Sequence, residues 1–414
     1  MSGQNHIADP GKEARARSGI PIVPVFDGYR AFAILGVVLL HLLGQSGAVD
    51  TGDTGLLARL TWGTVGHAIE ILFIVSGFVV FLPMAFHRGR TGSLRAYALR
   101  RITRLYPAYW LILALILLLI ATTSVTDLGL PGTRDLLINF SGFHVPLGLP
   151  IPGISTAFGA NSATWTLSVE ICFYLVLPMV AAIYFRHPLV GLLVAGVLTV
   201  GWNEFFSHLP QINESWNLGL SGPEMLRLVS SAALQLPSWA FSFALGMTGA
   251  WVFLNRDRFG WATTPRTLAI LTWTALAGFV FFAWQAGLKS GDGYLVFVAQ
   301  TSRFTSWLAI GYSAFLAAVM ILIALRPGRI GVLFSNELIR KLGDISYGIF
   351  LSHVVIITFL GPALSLPTDG SIGAFALWTL VVVPLAVLYG YLSARFLEQP
   401  IRRWARKYGR RRPD

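Results

Sequence analysis

Residues 65–86, VGHAIEILFIVSGFVVFLPMAF, indicate the class of this protein. The segment is apolar almost throughout and, as a helix, long enough to cross the roughly 30 Å hydrocarbon core of a bilayer. It nevertheless contains His67 and Glu70, three residues apart. An ionisable side chain costs about 2.5–3.5 kcal/mol near the centre of a membrane helix, so each one suggests a functional role. The segment is predicted to be a membrane helix with polar groups inside it.

Nine further segments share this length and apolar character. None of them shows the two-residue alternation of a membrane β-barrel strand. The sequence therefore predicts an all-α polytopic membrane protein with about ten transmembrane helices. The predicted spans are 29–46, 65–86, 105–124, 167–185, 188–205, 234–254, 266–287, 304–325, 344–362 and 373–394.

The composition agrees with this class and excludes others. Of 414 residues, 55% are hydrophobic and only 12% are charged, about half the roughly 25% charged share of soluble domains. A chain so poor in charge excludes several soluble domains, disorder and a coiled coil. The single cysteine, Cys172, excludes a disulfide framework and a cysteine-rich metal site.

The net charge of +12 is explained by the location of the basic residues and needs no nucleic-acid partner. With the N-terminus in the cytoplasm, 25 of the 31 Lys and Arg residues fall in cytoplasmic segments, as the positive-inside rule requires. Both termini are therefore predicted to be cytoplasmic. The scarcity of lysine suggests a GC-rich bacterial genome and hence the inner (plasma) membrane of a bacterium. The basic residues expected outside are Arg59, Arg134, Arg227, Lys289 and Arg303.

Three parts are predicted along the chain. Residues 1–20 lack the apolar core of a signal peptide and are expected to form a disordered cytoplasmic tail. Residues 21–398 form the ten-helix membrane domain, and 399–414 a basic cytoplasmic tail. The longest outer segment, about 125–164, either helps to form a substrate site or is a packed cap.

Arg30 and His41, in RAFAILGVVLLH, form the first candidate pair. Eleven residues make about three helical turns, so both side chains lie on one face, roughly 16 Å apart along the axis. Arg30 is then near the cytoplasmic end and His41 in the outer half. An Arg that reaches lipid headgroups and a His bonded to another helix are the structural alternative. Two such groups on one face favour a site.

Three other spans carry ionisable side chains. Glu170 is little more than a turn inside the outer boundary of its span, at a depth similar to His41, where a carboxylate would fix the tautomer of a general base. His67 and Glu70 lie on one helix face, and we expect them to form an independent structural pair. The alternatives are that they support the site or belong to it. His353, in GDISYGIFLSHVV, either approaches the same cavity or bonds a neighbouring helix.

The cytoplasmic segment HRGRTGSLRAYALRRITRLYPAYW carries six arginines and no acid. The positive-inside rule and attraction to anionic lipid explain most of them. Arg101 and Arg104, however, lie one turn apart immediately before an apolar run. Because a guanidinium binds phosphate through two parallel hydrogen bonds, this pair, together with Arg30, predicts a binding site for a phosphorylated donor.

These motifs together resemble the membrane acyltransferase-3 family. The resemblance covers about residues 20–406 and rests on FDGYRAFAILGVVLLH, LFIVSGFVV, RRITRLYPAYW, WTLSVE, GDISYGIFLSH and FLEQPIRR, in this order. It implies ten spans and transfer of an acyl group, usually acetyl from acetyl-CoA, to a hydroxyl of a sugar, cell-envelope glycan or small molecule. The length leaves no room for the extracytoplasmic hydrolase-like domain of some members, so we expect all chemistry within the bundle.

The resemblance also implies roles for matching residues. His41 would be the catalytic general base with Arg30 its partner in that motif, Glu170 the acidic catalytic residue of the fourth helix, and Arg101 and Arg104 the pair that binds the donor. Independently of the resemblance, the positions of His67, Glu70 and His353 make them candidates to support the site. Acyl-CoA would be a co-substrate, and neither a bound cofactor nor a metal is expected. Direct transfer and a two-step route through acyl-histidine both remain open.

A proton-coupled transporter or flippase is the main alternative, because intramembrane His and Glu at staggered depths also suit a proton relay. The missing inverted-repeat pattern of interrupted helices argues against it. A receptor or scaffold without activity is a third interpretation. It gives no reason for clustered ionisable residues, whose insertion into a membrane costs free energy.

Overall fold

A computed structural model describes residues 19–48, 61, 63–260, 264–289, 306–326 and 328–409. Across these ranges the chain is helical, with no β-strand, and ten helices are long and apolar enough to cross a membrane. The predicted all-α, ten-span class is confirmed. The helices are α1 (Val25–Ser46), α2 (Ala68–Phe86), α3 (Leu94–Thr122), α4 (Trp165–Arg186), α5 (Pro188–Ser207), α6 (Leu236–Leu254), α7 (Pro265–Lys289), α8 (Ser306–Leu325), α9 (Glu337–Ala363) and α10 (Ile372–Leu392).

Some of the sequence-based predictions fall outside the described ranges. These are the first 18 residues of the N-terminal tail, residues 410–414 of the C-terminal tail, and Arg59 and Arg303 among the basic residues expected outside. The cytoplasmic location of the two termini stays a prediction.

Two helices begin much earlier than the hydropathy pattern predicts, α3 by 11 residues and α9 by 7. α3 begins at Leu94, where the Ser93 hydroxyl accepts a hydrogen bond from Ala96 N at 3.3 Å. α9 begins at Glu337, where the Asn336 side chain accepts one from Leu338 N at 2.9 Å. Hydropathy detects only the apolar part of each helix, whereas these N-caps fix where the helix begins. The arginine pair of α3 is therefore helical and held in a fixed orientation.

The centre of the bundle depends on close contact between α2 and α6. A Cβ atom added to Gly77 would lie 2.1 Å from Phe243 O, and one added to Gly246 would lie 2.1 Å from Ile74 O. Small residues at such positions let the backbones of two membrane helices approach closely. The two glycines are reciprocal, since each meets the backbone of the other helix.

The helices that carry the candidate residues lie inside the bundle. α1 packs against α2 and α9, and α9 packs also against α10 and α3. By contrast, only 11% of the apolar window of α5 and 17% of that of α7 are buried, so their apolar side chains form surface suited to lipid. The protein is thus a multi-pass membrane protein whose candidate ionisable side chains lie on its more deeply buried helices.

The outer segment between α3 and α4 is folded and packed against the bundle. It contains two short helices, Thr133–Ser141 and His144–Gly148. Asn139 organises it: its amide donates to Ser155 O at 3.1 Å, and its side-chain oxygen accepts from Ala157 N at 2.8 Å. Further along, the Asn161 amide donates to Leu351 O of α9 at 2.8 Å.

After α10 the chain makes a π-helical turn, Ser393–Glu398, and a final helix, Gln399–Gly409, which packs against α3. The buried carboxylate of Glu398 accepts from Arg402 at 2.8 Å and from the Ser393 hydroxyl at 3.1 Å. The part of the predicted C-terminal tail up to residue 409 is therefore a helix attached to the bundle.

Candidate active site

Arg101 is positioned by two aromatic rings. Its guanidinium carbon lies 5.5 Å from the centroid of Tyr97 and 5.1 Å from that of Tyr174, within the distance of a cation–π contact. Arg101 Nε is buried and has no hydrogen-bond partner among the described residues. The unpaired Nε leaves this guanidinium with a donor available for an anion.

Arg30 lies within electrostatic range of the same cluster. Its Nη1 is 3.7 Å from Asp27 Oδ1, and its side chain is 15% exposed. The Arg30 guanidinium also interacts electrostatically with the charges of Arg104 and Glu170. The three arginines predicted to bind the donor are therefore all near Tyr174 of α4.

Glu170 belongs to this basic region. Its Oε1 accepts hydrogen bonds from the Ser76 hydroxyl, at 2.8 Å, and from the Tyr174 hydroxyl. The Tyr97 hydroxyl in turn donates to Tyr174 O at 3.0 Å. The carboxylate thus holds one of the two tyrosines that stack on Arg101.

This arrangement corrects the expected placement of Glu170 beside His41. Within the described ranges, Glu170 bonds Ser76 and Tyr174, while His41 bonds Val37. Depth does not separate the two residues, because each lies five residues from the nearer end of its helix, Trp165 of α4 or Ser46 of α1. They differ in the neighbours that they face: Glu170 faces Ser76 of α2, whereas His41 faces His353 of α9. A catalytic role for Glu170 stays a prediction.

His41 is oriented by its own helix. Its Nδ1 lies 2.8 Å from Val37 O, one turn earlier in α1. Because a carbonyl oxygen can only accept, Nδ1 carries the proton and Nε2 presents a lone pair. This assignment follows from the hydrogen bond. The carbonyl performs the tautomer-fixing task that the sequence assigns to a carboxylate.

His353 lies beside His41. The two ring centroids are 5.0 Å apart, with the ring planes at 74°. His353 is fully buried, and its Nδ1 lies 2.8 Å from Phe350 O of α9. His353 is thus a neighbour of the candidate base, and its role stays a prediction.

His67 and Glu70 form a separate pair between α2 and α8. His67 Nδ1 is 3.2 Å from Glu70 Oε1, and the Ser313 hydroxyl donates to the other oxygen of Glu70. The His67 ring lies 4.5 Å from the Tyr312 centroid. The interaction links two helices, as expected for a structural pair.

The outer segment contributes one buried histidine that the sequence does not mark. His144 is 2% exposed, and its Nδ1 lies 3.4 Å from the Tyr109 hydroxyl. Burial lowers its pKa to about 4. Together with the bonds of Asn139 and Asn161, this makes the segment a packed cap.

The sequence also misses the partners of Glu170 and Arg101. Ser76, Tyr97 and Tyr174 are unremarkable in membrane helices, because hydroxyl groups carry no charge that would mark them. Tyr174 alone had a signal: it follows Glu170 by four residues and therefore shares its helix face. In the described part of the chain, no group of three or more His, Cys, Asp or Glu residues is arranged to hold a metal ion.

The fold and the family comparison together define a multi-pass membrane acyltransferase. A family model described as an acyltransferase domain matches residues 23–395. The chain belongs to this acyltransferase-3 family. This membership does not favour the alternative that the protein is a transporter.

Several curated proteins are similar to nearly the whole chain. Peptidoglycan O-acetyltransferase OatA of Listeria monocytogenes is 22% identical over 406 residues, which cover 92% of this chain and 56% of that protein. Nodulation protein 10 of Rhizobium leguminosarum is 24% identical over 91% of this chain and 92% of its own length. Acyltransferase MdmB of Streptomyces mycarofaciens is 25% identical over 94% of each. This chain thus spans little more than half of OatA but nearly all of the other two. No solved structure matches the chain significantly.

Proposed function

We propose that this protein is an O-acyltransferase that moves an acyl group, acetyl in the simplest case, from acyl-CoA to a hydroxyl of a sugar, a cell-envelope glycan or a small molecule. One observation carries the proposal. His41, with Nδ1 bonded to Val37 O at 2.8 Å, presents Nε2 as a proton acceptor on the same helix as Arg30. The names of the similar proteins, which include a peptidoglycan O-acetyltransferase, support a hydroxyl acceptor.

The donor binds with its phosphates on Arg30, Arg101 and Arg104. Arg101 lies within cation–π distance of both Tyr97 and Tyr174, and a planar guanidinium positioned by two rings suits a phosphate group. The pantetheine arm then extends along α1 towards His41, roughly 16 Å away along the helix axis. The thioester carbonyl reaches the histidine from the donor side.

The transfer uses His41 first as a base and then as an acid. Nε2 accepts the proton of the acceptor hydroxyl while the hydroxyl oxygen attacks the thioester carbonyl carbon. The tetrahedral intermediate collapses by breaking the bond between carbon and sulfur. The sulfur leaves with the proton from the imidazolium, so the products are the O-acyl ester and free CoA thiol.

Glu170 serves the donor end in this proposal. It lies among arginines and bonds Tyr174, one of the rings that hold Arg101. Its negative charge offsets part of the positive charge while the donor is absent. It therefore acts on donor binding rather than on the basicity of His41.

The test compares the acylation of envelope glycans and secreted metabolites by mass spectrometry in a deletion strain and in the same strain carrying the wild-type gene, His41→Ala or a control variant. The same acyl mass should be missing from the deletion and the His41→Ala strains. His208→Ala is the matched control, because His208 exposes 60% of its side chain at the surface. Full acylation by correctly inserted His41→Ala protein would contradict the proposal.

A further inference from the structure

His41 and His353 share the same hydrogen-bonding pattern. Each ring points Nδ1 at a carbonyl of its own helix, at 2.8 Å from Val37 O and 2.8 Å from Phe350 O respectively. His353 Nδ1 is also 3.2 Å from Ile349 O. Carbonyl oxygens accept and never donate, so both rings are protonated on Nδ1 in the neutral state. Both Nε2 atoms, at the distal ends of the rings, are then lone-pair acceptors.

Two such rings cannot satisfy each other. A hydrogen bond between them would need a proton on one Nε2, and both protons are already engaged with the helix carbonyls. His353 is fully buried, yet its Nε2 has no hydrogen-bond partner among the described residues. Leaving a buried acceptor unpaired carries a free-energy penalty, so such an atom calls for an explanation.

The neighbouring ring supplies that explanation. The His353 centroid lies 5.0 Å from that of His41, so the unpaired nitrogen belongs to the ring next to the proposed base. The proposed function brings one hydroxyl to His41. The second acceptor, on His353, then requires a second donor on the same substrate.

We propose that His353 Nε2 binds the acceptor substrate by accepting a hydrogen bond from an O–H or N–H on the carbon next to the acylated hydroxyl. This proposal rests on the proposed function and names its substrate class: a vicinal diol or a vicinal amino or amido alcohol, as on a sugar ring. His353 takes no proton during transfer. It orients the ring of the acceptor, so that one hydroxyl rather than its neighbour meets His41.

Two substitutions separate this role from a structural one. His353→Asn keeps an N–H that reaches the carbonyl of Phe350 but has no acceptor at the Nε2 position. His353→Gln places an amide oxygen near that position. Both are smaller than histidine and uncharged, so packing and membrane insertion change in the same direction. Size-exclusion profiles and thermal unfolding in detergent check that each variant is folded.

The assay uses membranes from cells that lack the native gene and produce each variant, incubated with [acetyl-14C]acetyl-CoA. We expect His353→Asn to lower label incorporation into the endogenous acceptor about tenfold, from loss of one hydrogen bond to a buried group. The KM for acetyl-CoA should be unchanged. His353→Gln should recover incorporation to within about threefold of wild type. Tandem mass spectrometry of the wild-type product should show an O–H or N–H on the carbon next to the ester.

Three results would overturn the inference: incorporation by His353→Asn within threefold of wild type, loss of incorporation by folded His353→Gln and His353→Asn alike, or an ester whose neighbouring carbons carry no donor. Failure of the proposed function looks different. In that case wild-type membranes incorporate no label, or His41→Ala incorporates as much as wild type.

Discussion

The Ser76 hydroxyl donates to Oε1 of Glu170 over 2.8 Å, and this bond joins α2 to α4 near the arginines. The same oxygen accepts from Tyr174, whose ring stacks on Arg101. One carboxylate thereby fixes two helices and an aromatic ring on the side of the bundle where the donor is proposed to bind. The base, His41, receives its orientation from the Val37 carbonyl instead. Donor binding and proton transfer are thus supported by different contacts.

Glu170→Gln should affect donor binding and leave the base unchanged. The amide keeps an oxygen for Ser76 and Tyr174 but removes the charge. We expect the KM for acetyl-CoA to fall, by up to about tenfold or about 1.4 kcal/mol, because the arginines attract the donor phosphates more strongly once the negative charge is gone. The pH profile of kcat/KM for the acceptor should keep its midpoint, because Glu170 does not contact His41. The measurement is initial-rate kinetics on purified protein between pH 5.5 and 9. A shifted midpoint would show that Glu170 influences the basicity of His41, which would contradict this prediction.

Arg101→Lys should weaken the donor site although it preserves the charge. A lysine ammonium can neither stack flat on Tyr97 and Tyr174 nor bind a phosphate through two parallel bonds. We expect the KM for acetyl-CoA to rise about tenfold, with a smaller change in kcat. Arg134→Lys is the matched control, because the Arg134 side chain is 59% exposed in the outer segment. Equal KM values for the two variants would contradict a donor role of Arg101.

The sequence predicts the number and approximate limits of the spans, because a membrane helix must be apolar over a fixed length. It also marks the ionisable residues, since each is costly in lipid. It does not predict that Glu170 of α4 meets Ser76 of α2 or that His41 faces His353. Those relationships depend on how far each helix extends and how it is rotated. Caps such as Ser93, and close contacts such as that at Gly77, determine these and leave no trace in hydropathy.

Gly77→Ala should destabilise the bundle. Its Cβ would lie 2.1 Å from Phe243 O, a backbone atom that cannot move without shifting α6. We expect a loss of about 1–3 kcal/mol, typical of overpacking. Thermal unfolding in detergent measures it. Gly201→Ala in α5 is the matched control: nothing lies within 4 Å of the added Cβ, so this change should be neutral or slightly stabilising through helix propensity.

His144 should make the stability of the protein depend on pH. Burial lowers its pKa from the ordinary 6.5 to about 4 in the folded protein, so the unfolded chain binds a proton more readily. The stability associated with neutral His144 is therefore complete above pH 6.5 and is lost progressively as the pH falls towards 4. Between pH 7.5 and pH 5 this loss is about 2 kcal/mol.

The variant that tests this is His144→Phe, which keeps an aromatic ring of similar size in the cap but cannot titrate. Its absolute stability falls because the contact with the Tyr109 hydroxyl, at 3.4 Å in the wild type, is lost. The informative quantity is the slope. The unfolding temperature of the wild type should drop more between pH 7.5 and pH 5 than that of the variant, in the same detergent. Parallel curves would show that His144 is protonated as easily in the folded protein as in the unfolded chain. In that case the cap would not exclude water from this histidine.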